Sequence, residues 1–222
     1  MSELPGAVFF DMDGLLVDTE KVWFEVEAEV MKRLGGSWGP EDQEHLVGGS
    51  LPSTVAYMLK TSGADTEPAE VASWMLAGMT ARLREGGVEM MPGAAALLRS
   101  VRATGVPMAL VTSSARAVAE VCLDAIGRHF FDHVVTGDDV SRTKPDPEPY
   151  RLAVALAAVE ARRCVVLEDS PNGVTSATAA GCRVVAVPSL LPIPPAPGRM
   201  IAGSLTQVDV ALLARVATPS EP

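Results

Sequence analysis

The stretch Phe9-Phe10-Asp11-Met12-Asp13-Gly14-Leu15-Leu16 decides how the rest of the chain reads. The apolar run from Ala7 to Phe10 reads as a buried strand. It stops on two carboxylates one residue apart. On an extended backbone alternate side chains point the same way, so Asp11 and Asp13 face one small volume at the strand's end. Gly14 then lets the chain turn sharply. Carboxylates that close repel unless a cation or a shared proton lies between them. That points to a divalent metal, an acid/base pair, or both. The competing reading is an acidic turn whose side chains are merely solvated, and a short motif alone does not decide.

Working outward, Asp18 is placed to N-cap a helix running to about Leu34 and ended by Gly35-Gly36. From there to Glu85 only helical patterning follows, near Glu41–Val47, Ser53–Thr61 and Glu67–Arg84, with Gly48-Gly49 and Gly63 between. From Met91-Pro92-Gly93 onward helix and strand alternate. Helices near Ala94–Ala103, Ala115–Ile126, Glu148–Val159 and Pro171–Ala180 precede strands at Pro107–Val111, Asp132–Val135, Cys164–Leu167 and Arg183–Val187. Such alternation implies parallel pairing. The expected fold is therefore α/β, a Rossmann-like open parallel sheet that includes Ala7–Phe10. Residues 1–16 and 86–222 form its core, and residues 17–85 an inserted helical cap. Glycines at both junctions would let the cap hinge. Pro188 to Gly198 holds five prolines and reads as a semi-rigid surface loop. Leu205 to Val216 reads as a last amphipathic helix.

Composition narrows the function. The chain has 222 residues, of which 48% are hydrophobic, enough for a sizeable core. Its 28 acidic and 18 basic residues give a net charge of −10. That balance argues against nucleic acid as a partner, while a small anion held by a metal and local cations stays compatible with it. Cys122, Cys164 and Cys182 show no CxxC pattern, so they read as buried small hydrophobes in a reducing compartment. No signal peptide and no run of about 20 apolar residues is present. The expectation is a cytoplasmic protein with no membrane association and no obligate protein partner.

In an open parallel sheet, ligands bind at the carboxyl ends of the strands. There the first strand delivers Asp11 and Asp13, the second Thr112-Ser113-Ser114, and the fourth Glu168-Asp169-Ser170-Pro171-Asn172-Gly173. Between them lies Lys144-Pro145-Asp146-Pro147, whose lysine stands alone in the second half of the chain. One rim thus collects four carboxylates, hydroxyl donors and a lysine. For a phosphate ester each type has a use. Carboxylates suit Mg²⁺, Thr112 can donate to a phosphoryl oxygen, and Lys144 can offset the charge of a transferring phosphoryl group.

The ordered set Asp11-x-Asp13, Thr112, Lys144 and Glu168-Asp169 resembles the four motifs of the haloacid dehalogenase superfamily, over nearly the whole chain. The phrases Asp11-Met12-Asp13-Gly14-Leu15-Leu16-Val17-Asp18-Thr19-Glu20, Met91-Pro92-Gly93 and Leu167-Glu168-Asp169-Ser170 are similar to the branch holding beta-phosphoglucomutase and small-molecule phosphatases. The resemblance implies that Asp11 is a nucleophile forming an aspartyl-phosphate and Asp13 a general acid/base. It implies that Thr112 and Lys144 hold the phosphoryl group. Mg²⁺ would sit on Asp11, the Asp13 backbone carbonyl and Asp169, with Glu168 nearby or acting through water. Ser113, Ser114 and Asn172 are further candidates for phosphate or rim contacts.

Asp13 separates this chain from members of that superfamily that cleave carbon–halogen bonds or phosphonates, which lack the second acid. The mutases carry a cap histidine where this chain has Trp23, and a basic loop whose lysine and arginine would fall on Val47 and Leu51. A phosphatase acting on a small phosphorylated metabolite is the better reading, with a sugar phosphomutase as the alternative. A receiver-type signalling protein also clusters Asp, Ser/Thr and Lys, but the cap, the length and the position of Lys144 argue against it. His129 and His133 read as surface or edge residues, and His45 as a cap residue and candidate substrate contact. Trp38, Trp74, Met58, Met75 and Met79 read as packing of the cap, whereas Trp23 lies early enough in its helix to face the site.

Overall fold

The computed structural model describes residues 3–46 and 49–218. Its central strand is β1 (Ala7–Phe10), every residue of which is buried. On one side β1 pairs with β2 (Met108–Val111), which pairs with β3 (His133–Val135). On the other it pairs with β4 (Cys164–Glu168), followed by β5 (Arg183–Ala186) and β6 (Arg199–Ile201). The order is β3-β2-β1-β4-β5-β6 and every pairing is parallel. The chain builds outward from β1 in one direction, then returns and builds in the other, so the switch point lies between β1 and β4.

Parallel strands covered on both faces are apolar at every position, and the pleat sends alternate residues to two separate cores. Val8 and Phe10 pack with Leu110, Val165 and Leu167 beneath α5 (Ala94–Arg102), α6 (Arg116–Ile126) and α9 (Val210–Ala217). Ala7 and Phe9 pack with Ala109, Val166 and Tyr150 beneath α7 (Glu148–Ala157) and α8 (Pro171–Ala179). Phe9 and Phe10 are fully buried, each stabilising the sheet by about 1.5–3 kcal/mol.

Between β1 and β2 lie α1 (Glu20–Arg33), α2 (Pro40–Leu46), α3 (Leu51–Ser62) and α4 (Pro68–Gly86). No strand falls in this insertion among the described residues. Met58, Met75 and Met79 are fully buried in it, with Trp38 and Trp74 packed partly against them. The insertion joins the sheet through a short ribbon: Asp18 N–H donates to the Glu89 carbonyl and Met91 N–H to that of Leu16, both at 2.9 Å.

The structure corrects several sequence expectations. Asp18 does not cap α1; Thr19 occupies the cap, and its hydroxyl is turned to Asp13 instead of the helix. Val47 and Gly48 lie outside the described residues, so the expected end of the second helix there has no structural account. The last helix is shorter, a 3-10 turn at Leu205–Gln207 preceding α9. The proline-rich loop is followed by β6, an edge strand of only three residues with no alternating pattern to reveal it. Other readings hold. His133 opens β3 at the opposite edge, His129 is exposed, and the three cysteines are free and buried. Among the described residues no helix is long and apolar enough to cross a membrane.

Candidate active site

The register of the central strands assembles the rim. Phe10 is level with Leu110 on one side and Leu167 on the other, so Asp11, Thr112 and Glu168-Asp169 emerge close together. Asp11 N–H donates to the Leu167 carbonyl (3.1 Å), and Thr112 N–H to that of Val135 (2.9 Å), so both leave the sheet on paired backbone.

Lys144 reaches this rim from the loop before α7. The backbone N–H groups of Ser141 and Arg142 donate to the Glu148 carboxylate at 2.8 and 3.0 Å, and Glu148 N–H donates to Asp146 Oδ1 at 2.9 Å. The first turn of α7 thereby closes the loop. The Lys144 side chain is buried, and its Nζ donates to Asp11 Oδ1 (2.5 Å), Glu168 Oε1 (2.6 Å) and the Val111 carbonyl (2.8 Å). All three ammonium protons are used.

Glu168 is fully buried and its acceptors are filled. Oε1 takes Lys144 and the Tyr150 hydroxyl (2.7 Å). Oε2 takes Asp169 N–H (3.1 Å), Ser170 N–H (3.4 Å) and the Ser170 hydroxyl (3.3 Å). The space it fills exists because residue 173 is glycine: a Cβ there would come within 1.9 Å of the Glu168 carboxyl. Asp169 accepts from the Ser189 hydroxyl at 2.6 Å and lies under Gly14, where a Cβ would meet Oδ2 at 2.2 Å.

Asp13 faces a different set of partners. Its Oδ1 accepts from the Thr19 hydroxyl (2.6 Å) and the Trp23 indole N–H (3.2 Å). Its Oδ2 accepts from the Ser114 hydroxyl (2.8 Å) and the Thr112 hydroxyl (3.3 Å). The Ser113 hydroxyl is buried with no hydrogen-bond partner among the described residues. Asn172 lines a cleft of about 740 Å³ that also takes in His45, Ser113 and Lys144.

Charge decides what this rim can hold. Asp11, Glu168 and Asp169 offer carboxylate oxygens within 4.8 Å of one another, all buried, against the single ammonium of Lys144. Burial, then the Glu168 carboxylate, raise the pKa of Asp11 despite Lys144. The same two causes push Asp169 up to about 8. Burial opposes the charge on Lys144, but Asp11 and Glu168 outweigh it and raise its pKa. When deprotonated, the three carboxylates exceed the one ammonium by two negative charges, which a hard divalent cation with oxygen ligands neutralises. The donor set therefore fits a hard divalent cation. Asp13 adds no carboxylate oxygen to this cluster.

Above the rim is a cavity of about 90 Å³. Asp11, Asp13, Lys144 and Asp169 form its floor, and Glu20, Trp23, Glu27, Gln43, Thr54 and Leu76 of the insertion line its upper wall. Burial, reinforced by Asp13, raises Glu20 to about 7. Burial raises Glu27 to about 7 against the hydrogen bond from Trp38.

Residues 8–187 match the family described as haloacid dehalogenase-like hydrolase. This chain belongs to that family. The hydrolase is 31% identical over 194 residues to protein CbbY of Cereibacter sphaeroides, spanning 82% of this chain and 84% of that one. It is 34% identical over 184 residues to hexitol phosphatase A of Escherichia coli K12, spanning 80% and 81%. The crystal structure of CbbY from Rhodobacter sphaeroides in complex with phosphate superposes with a TM-score of 0.83 at 28% identity, covering 92% of the hydrolase and 96% of CbbY.

Several residues that build this site escape a reading of motifs. Tyr150 acts through a single hydroxyl with no pattern around it, and nothing in the phrase that holds Thr19 marks its hydroxyl as a partner of Asp13. Ser189 had a usable signal, since it follows the carboxyl end of β5, where the sheet delivers its rim residues. Glu20 and Glu27 share a face of α1 with Trp23, by the three- and four-residue spacing of a helix.

Proposed function

We propose that the hydrolase is a Mg²⁺-dependent phosphatase of small phosphomonoesters, working through an aspartyl-phosphate on Asp11. The observation that carries this reading is the division of labour between two neighbouring aspartates. Asp11 lies against Lys144 and the other buried carboxylates, whereas Asp13 lies among hydroxyl and indole donors on the cavity side.

In this reading an Asp11 carboxylate oxygen attacks phosphorus, and the bond to the leaving oxygen breaks. Asp13 delivers a proton to that oxygen, then takes one from the water that hydrolyses the aspartyl-phosphate. Thr112 is placed to donate to the phosphoryl oxygens, with Ser113 and Ser114 beside it. Lys144 offsets the charge that Asp11 passes to the phosphoryl group. Asp11 and Asp169, with the Asp13 carbonyl, would hold Mg²⁺, and the ion when bound neutralises the phosphoryl oxygens. Since the acceptors of Glu168 are filled, we assign it to fixing Lys144. Residues 17–85 act as a cap over residues 1–16 and 86–222, bending at the ribbon between Gly14 and Gly87. The buried free cysteines support a reducing, cytoplasmic setting.

The mutase alternative needs a second phosphate site. Trp23 and Leu51 line the cavity where that reading wants basic groups, and Lys144 is the one cation among its described lining residues. The deciding experiment is phosphate release from a phosphomonoester panel with Mg²⁺, with EDTA, and with Asp11→Asn. Metal-dependent release lost in the variant is expected. Conversion of beta-glucose 1-phosphate to glucose 6-phosphate without release would sink the phosphatase in favour of the mutase.

A further inference from the structure

Resting on that phosphatase reading, we infer that the cavity's upper wall selects esters of polyols, with Glu27 as a specificity-determining residue. The leaving group it fits donates hydrogen bonds and carries no second anion.

The path of the leaving group follows from the floor. Asp13 is the group placed to protonate the leaving oxygen, and it touches Trp23 on α1. Glu27 lies one turn further along the same face of the helix, and both residues line the cavity. A leaving group extending from Asp13 past Trp23 therefore meets Glu27. The Glu27 side chain is fixed: it is 6% exposed, and Trp38 Nε1 donates to Oε2 at 3.2 Å. Its Oε1 has no hydrogen-bond partner among the described residues. Burial pushes this carboxyl up to about 7, as befits an acid short of donors. A hydroxyl of the ligand would supply one.

The rest of the wall agrees. Glu20 adds a second carboxyl, and Gln43 Nε2 donates to the Glu20 backbone carbonyl at 3.0 Å and to its Oε2 at 3.5 Å. Thr54 adds a hydroxyl and Leu76 an apolar surface. No lysine, arginine or histidine stands among the insertion's described lining residues, so a carboxylate or second phosphate would face two acids without a counter-charge. A polyol meets acceptors at both.

The test uses the full chain with Mg²⁺ and substrates differing in one group: glucitol 6-phosphate against 6-phosphogluconate, and fructose 1-phosphate against fructose 1,6-bisphosphate. p-Nitrophenyl phosphate, which has no hydroxyls to be read, reports the chemistry alone. The polyol esters should exceed their anionic partners in kcat/KM by roughly tenfold or more. Glu27→Gln should shrink that ratio, and Glu27→Lys should invert it. Equal turnover of the paired esters, or an unchanged ratio in both variants, overturns the inference. If no ester is hydrolysed, p-nitrophenyl phosphate included, it is the phosphatase reading that falls. Selectivity is then read from calorimetric binding of the same pairs to Asp11→Asn, where equal affinities overturn it.

Discussion

The indole N–H of Trp23 donates to Oδ1 of Asp13 across 3.2 Å, the same oxygen that accepts the Thr19 hydroxyl. A residue of the insertion thereby holds a residue of the sheet, and any displacement of the insertion withdraws a donor from the proposed acid/base. Trp23→Phe keeps the ring and removes the donor. A hydrogen bond of about 1 kcal/mol corresponds to roughly a three- to tenfold loss in kcat. Steady-state kinetics should show that loss with KM little changed. A KM effect alone would mean that Trp23 serves binding and not the proton transfer.

Asp11→Asn removes the nucleophile while nearly preserving its shape. Turnover should fall by at least about a thousandfold, with circular dichroism and melting close to wild type. Near-normal phosphate release in the variant would refute the assignment of Asp11.

Gly173→Ala tests how tightly Glu168 is held. The new methyl would overlap the Glu168 carboxyl, so the variant should lose about 1–3 kcal/mol of stability and most activity, because Lys144 loses its support. Gly86→Ala is the control. Nothing lies within 4 Å of a Cβ there, and ending α4 on alanine should stabilise by about 0.5–1 kcal/mol. Denaturant melts of the two variants give both numbers. A Gly173→Ala protein as stable as wild type would refute the cradle.

The acidic rim also links metal to pH. Without metal the folded protein keeps a proton on Asp169 up to about pH 8, whereas the unfolded chain releases it near 3.8. The folded state therefore holds more protons across that window, and stability in EDTA should fall as pH rises through it. Glu20 and Glu27, raised to about 7, steepen the same slope. A divalent ion binds the deprotonated carboxylates, so the Tm gain from millimolar Mg²⁺ should be larger at pH 8.5 than at pH 6. Equal gains at the two pH values would place the metal elsewhere.

The sheet and its rim were legible because their signals are local. Apolar runs mark β1, β2 and β4, and the polar residues ending them must gather wherever parallel strands end together. What escaped depends on meetings across the fold. Glu27 is an ordinary helix residue until Trp38 and the cavity fix its surroundings, and Tyr150 resembles a core aromatic until its hydroxyl reaches Glu168. Asp18 satisfied the rule for caps, yet Thr19 took the position because the chain must first pair with Glu89. β6 is too short to show a period.

The placing of β1 at the centre of the sheet also shapes how the molecule comes into being. Its neighbours, Met108–Val111 and Cys164–Glu168, lie beyond the entire insertion in the chain. An apolar ribbon with both edges open must therefore remain unpaired through synthesis of everything between. Pairings of such sequence separation form slowly, and unpaired edges attract other chains in the meantime. The arrangement that seats Asp11 between two strands makes it dependent on late events in folding, and a nascent chain interrupted before Glu168 lacks the carboxylate that fixes Lys144.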